Sequence, residues 1–125
     1  MMPSPPDATA LAADVRAGDV SPLELVDTAI DAAERLNPEL NAIVAEDFER
    51  ARADAKTFAS LSEQPFAGVP TLLKDLLTPV AGESAYQGNR VLRELDHRYE
   101  VTGAVARRLR EAGAISIGQI GRAHV

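Results

Sequence analysis

The stretch GVPTLLKDLL, Gly68 to Leu77, sets an ammonium inside a run that otherwise reads as buried. Burying an unpaired charge costs on the order of several kcal/mol or drives the group to neutralise. Val69, Leu72, Leu73, Leu76 and Leu77 read as core, and only Lys74 and Asp75 interrupt them. Two readings follow. Lys74 snorkels to solvent at the end of a strand with Asp75 as a casual neighbour, or it sits in a dry site because its proton is used.

Other chemistries find little support. The chain has no cysteine, which excludes a disulfide framework, a thiol nucleophile and a cysteine metal site. Its two histidines, His97 and His124, are too few for a histidine-based zinc site, so neither a metal nor another cofactor is expected. Ser4, Ser21, Ser60, Ser62 and Ser116 read as tail, cap, loop or strand residues, none in a glycine-rich nucleophile context. Ser84, Tyr86 and Gln87 either border a substrate entrance or are ordinary turn residues. The net charge of −6 argues against nucleic acid or an anionic membrane as partner. Arg107, Arg108 and Arg110 sit among Glu100 and Glu111 and read as a solvated helix face. No apolar run reaches the ~20 residues that span a bilayer, and Met1 to Asp7 lacks the marks of a signal peptide, so the cytoplasm is the expected compartment.

The elements that must position Lys74 are written in caps and periods. The 125 residues suit about one domain, with 46% hydrophobic but only 4% aromatic residues, so no large aromatic core is available. After a frayed tail over residues 1–6, Asp7 caps a short helix that Gly18 ends. Ser21, Pro22 and Glu24 form an N-cap, a first-turn proline and a capping box. Leu23, Val26, Ile30 and Ala33 follow at helical spacing, and Asn37-Pro38 is expected to stop the helix. Asn41 to Ala45 suits a short strand, and Phe48, Ala51, Ala55 and Phe58 mark one side of the next helix. These helices form an N-terminal layer. A strand carrying Lys74 follows, then a loop punctuated by Gly82 and Gly88. Val101, Val105, Leu109 and Ala112 are spaced for the buried face of a further helix, closed by Gly113, and AISIG reads as a buried strand.

PFAGVPTLLKDL resembles the segment of the amidase signature family that carries its catalytic lysine, written G-[VI]-P-x-x-x-K-D. SPLELVDTAIDAAERLNPELNAIVAEDFERARADA resembles the family's opening, and VARRLREAGAISIGQ the helix and strand that usually lead into TNTPEF. The resemblance spans Asp7 to Gln119. It implies an α/β fold in which an N-terminal helical layer leads into the first strands of a mixed-sheet α/β/α amidase-signature architecture, here truncated.

It also implies a Ser-cisSer-Lys triad in which Lys74 is the general base, accepting a proton through a bridging serine so that a nucleophilic serine can attack an amide. Such a base must be neutral when it acts. An unperturbed lysine pKa of about 10.4 leaves almost none in that form at pH 7, and desolvation would supply the shift. Asp75 is expected to support the loop by accepting backbone or hydroxyl hydrogen bonds.

The resemblance breaks after Gln119, where both catalytic serines would follow and the chain instead reads IGRAHV. Those six residues match a translation of ATC GGA AGA GCA CAC GTC, the start of a common sequencing-library adapter. The expectation is therefore residues 1–119 as the N-terminal part of an amidase domain, inactive alone, and 120–125 as a non-native tail. A small amide is the implied substrate, and the oligomeric state is unspecified. The wording of the motif sits closer to general bacterial amidases, including those similar to cyclic-amide oligomer hydrolases, than to the A-type subunit of glutamyl-tRNA amidotransferase. The alternatives are a fragment similar to that amidotransferase chain, or an acidic helical interaction module in which Lys74 merely snorkels.

Overall fold

A computed structural model describes residues 4–58 and 63–121. Helix α1, Ala8–Ala17, opens where the Asp7 carboxylate accepts from Ala10 N–H at 2.9 Å, and closes at Gly18 in a left-handed conformation, φ +78°. Helix α2, Pro22–Leu40, has the full capping box. Ser21 Oγ accepts from Glu24 N–H at 3.1 Å, and the Glu24 carboxylate accepts from Ser21 N–H at 3.4 Å.

The expected stop at Asn37-Pro38 is corrected. The helix runs through Pro38 to Leu40, because a proline in the last turn forfeits one intrahelical bond rather than a ladder of them. Asn37 has another use. Its side chain accepts from Ala42 N–H and Ile43 N–H at 2.9 and 2.8 Å and donates to Ile43 O at 3.0 Å, which binds the end of α2 to the strand that follows.

That strand is β1, Ile43–Glu46, followed by α3, Phe48–Thr57, β2, Pro70–Lys74, α4, Arg90–Glu94, α5, Ala104–Glu111, and β3, Ile115–Ile120. Ile120 thus completes β3, while residues 122–125 lie outside the described ones, as do Ser60, Ser62 and His124. The sheet order is β1-β3-β2, with β3 antiparallel to β1 and parallel to β2. A parallel pair needs a crossover, and α4 and α5 lie in it.

Alternation along the strands divides the apolar residues between two clusters. Ile115 and Ile117 pack with Val26 and Ile30 of α2 and Phe48, Ala51 and Ala55 of α3, and Leu72 joins them. Leu73 joins instead Val80 and Ala106, with Leu109 beside them. The buried face foreseen for α5 is shifted, since Val101 and Val105 are exposed and Ala106 and Leu109 turn inward. Val101 precedes the helix, so a period counted from it has the wrong phase. Helix α4 has no counterpart in the sequence expectations; none of its residues is buried, and Asn89 caps it by accepting from Val91 N–H at 2.8 Å.

Gly118 explains how β1 reaches β3. At φ +152°, a Cβ there would lie 2.3 Å from Ala45 O. Only glycine lets the two backbones approach this closely.

Candidate functional site

Lys74 is the last residue of β2, in register with Ile120 of β3. Its Nζ donates to Gly121 O at 2.7 Å, and Thr78 Oγ1 donates to Lys74 O. Lys74 is exposed in this chain, the setting of the snorkelling reading, and Leu77, read as core, is exposed as well. The single carbonyl partner has a chemical consequence. A neutral amine held by one N–H still presents its lone pair, so the anchoring bond is compatible with work as a base.

Asp75 is buried, and its amide N–H donates to Ile120 O at 2.9 Å. The Oδ1 atom has no hydrogen-bond partner among the described residues, and the same holds for the buried Tyr99 hydroxyl. Burial pushes the Tyr99 phenol up from its ordinary value, and the charge of Asp75 pushes it the same way. The Gln87 side chain approaches the Tyr99 hydroxyl and opposes that rise, but without a hydrogen bond of good geometry.

The other residues singled out by sequence fall elsewhere. Ser84 is buried and forms a β-bridge with Arg98, and Tyr86 donates its hydroxyl to Asp96 Oδ1 at 3.0 Å. Gln87 adopts φ +50° in the turn before α4. His97 is exposed, and its carbonyl accepts from Ala85 N–H at 2.9 Å. Ser21 is the cap already described, and Ser116 lies in β3. Among the described residues no group of three or more histidine, cysteine or acidic side chains could hold a metal ion, and no helix is long and apolar enough to cross a membrane.

Sequence reasoning missed a set of buried polar groups beside the sheet. Glu83 is 2% exposed and Gln119 0%. Glu83 Oε1 lies 3.4 Å from Arg50 Nη1, while Glu83 Oε2, Asp47 Oδ2 and both polar atoms of Gln119 lack partners among the described residues. Burial raises the Glu83 carboxyl above its ordinary value and Asp47 adds to the rise, against lowering by Arg50, Gln119 and Arg110. The Gln119 amide favours the ionised Glu83 by proximity, but its atoms form no hydrogen bond of good geometry, so the contact is an approach and not a bond. Asp47 is raised by burial as well, opposed by Arg50 and Arg98. Glu83 also lines a cavity of about 320 Å³ with Arg50, Thr71, Leu73, Arg110 and Ser116. A second cavity, about 450 Å³ and almost wholly apolar, lies between α2 and the sheet. Lys74 lines neither.

The family model described as Amidase matches residues 24–120. The 6-aminohexanoate-cyclic-dimer hydrolase of Pseudomonas sp. (strain NK87) is 36% identical over 114 residues, which are 91% of this chain and 22% of that protein. The A-type subunit of glutamyl-tRNA(Gln) amidotransferase from Chromohalobacter salexigens is 35% identical over 115 residues, covering 89% of this chain and 23% of that protein. A solved structure of 6-aminohexanoate cyclic dimer hydrolase complexed with substrate superposes with a TM-score of 0.84 at 35% identity, over 92% of this chain and 23% of that one. The chain thus spans about a fifth of the length of the curated relatives it matches.

Proposed function

The chain belongs to the amidase family, and on that premise we propose that its parent protein hydrolyses the carbon–nitrogen bond of a small amide through an acyl-enzyme, with Lys74 as general base. The observation that carries the reading is the position of Lys74, which ends β2 in the matched segment with its amine tethered to one main-chain carbonyl. In the proposed reaction neutral Lys74 takes a proton through a bridging serine from a nucleophilic serine, which attacks the amide carbonyl; that proton is returned to the nitrogen as the C–N bond breaks and the amine leaves, and water, giving a proton to Lys74 in turn, attacks the acyl-serine and releases the acid and the serine hydroxyl. Both serines belong to sequence beyond Gln119 in the family pattern. Residues elsewhere in the whole protein would cover Lys74 and remove it from water. Asp75 supports the loop through its backbone bond to Ile120. The proposal keeps the cytoplasm as compartment.

Similarity to the glutamyl-tRNA(Gln) amidotransferase chain at nearly the same identity favours a second reading, in which the same base serves an amidotransferase. Membership of the family sets aside the interaction module, despite the exposed Lys74 that such a module would show.

The test is a chimera in which Asp7 to Gln119 replaces the matching segment of 6-aminohexanoate-cyclic-dimer hydrolase. It should hydrolyse its amide, and Lys74→Ala should lower kcat at least about 10²–10⁴-fold. Near-normal turnover by the folded Lys74→Ala chimera refutes the assignment.

A further inference from the structure

Glu83 is costly where it stands. It is buried in the loop between β2 and α4, one oxygen meets Arg50 at 3.4 Å, and the other has no partner among the described residues. Charged and polar groups face it from three elements: Asp47 and Arg50 at the start of α3, Arg110 on α5, and the Gln119 amide on β3. Burying a charge so incompletely paired is a poor route to stability, and an apolar residue of similar size often serves better. A group kept against that penalty is a candidate for fixing geometry on which something else depends.

The path from Glu83 to Lys74 begins with the approach of the carboxylate to the Gln119 amide, which is not a hydrogen bond, and continues through main-chain bonds. Gln119 is in register with Leu73 on one side and Ala45 on the other, so its position sets the middle of the sheet at this level. The next residue, Ile120, accepts the Asp75 N–H, and the one after, Gly121, accepts the Lys74 amine and donates its own N–H to Ala42 O at 2.8 Å. A shift at Gln119 reaches both anchors of the Lys74-Asp75 pair within two residues.

We propose that Glu83 is a positioning residue for Lys74: its carboxylate, braced by Arg50 and set against Gln119, fixes the end of β3 whose carbonyls hold Lys74 and Asp75. The proposal rests on the reading of Lys74 as general base. Glu83 itself touches no reacting atom. Removing its charge while keeping its shape should loosen the base without altering the surface on which substrate binds, and loss of alignment at a reacting group by about 1 Å can cost of order 10²-fold.

The test uses the chimera above, extended to Gly121 so that both anchoring carbonyls belong to this chain, with Glu83→Gln, Arg50→Gln and the double variant, each confirmed folded. The expected result is a fall in kcat of about ten- to a hundredfold for either single variant, with KM within about twofold, and no further loss in the double variant because both act through one brace. Arg50 is partly exposed, so Arg50→Gln keeps the test open if Glu83→Gln does not fold. Unchanged kcat in either folded single variant, losses that multiply in the double, or an effect confined to KM would overturn the proposal. Lys74→Ala, measured alongside, separates the two readings. If it is inactive while Glu83→Gln is normal, only the positioning role falls; if it is active, the base assignment falls first.

Discussion

Gly118→Ala should split β1 from the sheet. An added Cβ would lie 2.3 Å from Ala45 O and 3.3 Å from both Ala45 C and Glu46 Cα. Close C···O contacts in sheets are about 3.3–3.6 Å, so the strands must part by roughly 1 Å or Gly118 must rotate. Rotation is resisted too, because φ +152° lies in a region that side-chain-bearing residues avoid. Parting the strands weakens the pairing of Ala45 with Gln119 and Glu46 with Gly118, and the adjoining bond from Asp47 N–H to Ile117 O at 3.0 Å. Two hydrogen bonds lost at about 1 kcal/mol each, plus about 1–2 kcal/mol of backbone strain, give a destabilisation of about 3 kcal/mol. Gly82→Ala is the control. Its φ is +83° but nothing lies within 4 Å of the added atom, so it should cost only the strain. Denaturant midpoints of the chimera and its two variants measure the difference, and amide exchange at Asp47 localises it. If Gly118→Ala costs no more than Gly82→Ala, the close approach of β1 to β3 is not a constraint and the reasoning fails.

Ser21→Ala should lower stability by about 0.5–2 kcal/mol by removing the oxygen that satisfies Glu24 N–H, and a thermal melt unchanged by the substitution would contradict it. For Glu83 the sign follows from linkage. Its folded pKa is raised from 4.5, so the native state binds the extra proton, and the parent should lose stability relative to Glu83→Gln as pH rises from about 4.5 through the folded value. Unfolding free energies across that range check this, and a parent that holds or gains stability relative to Glu83→Gln as pH rises would sink it. Such a variant, more stable at high pH and slower in turnover, is the outcome a purely structural Glu83 would not produce.

What the sequence made legible was local. Asp7, Gly18, Ser21 and Gly113 act within a few residues of where they stand, so element ends could be placed without knowing the sheet. Asn37-Pro38 misled because Asn37 acts six residues ahead, on Ile43, through a side chain with no helical signature. Helix α4 escaped because five residues with no buried member carry no apolar period. Lys74 and Asp75 stood out through the motif around them, whereas the exposure of Lys74 depends on what packs over the end of β2, which no local pattern encodes. The cluster of Asp47, Glu83 and Gln119 lay deepest, since three distant segments meet only once the sheet has formed. The one available sign was a glutamine ending the apolar run ISIGQ, a polar residue where a buried strand offers it no water.

The order β1-β3-β2 also dictates a calendar for synthesis. Both outer strands leave the ribosome before the strand that joins them, and neither can pair with the other. Between Lys74 and Ile115 lie about 40 residues, roughly 2–8 s of translation at about 5–20 residues per second. During that interval β1 and β2 have no sheet to enter, while α2 and α3 can already dock, helped by Arg52 and Asp27 at 2.8 Å. By strand order, β3 enters between β1 and β2 and not at the edge of an existing pair. A pause in translation over α4 and α5 would lengthen the exposure of the backbone groups most prone to pair with another chain.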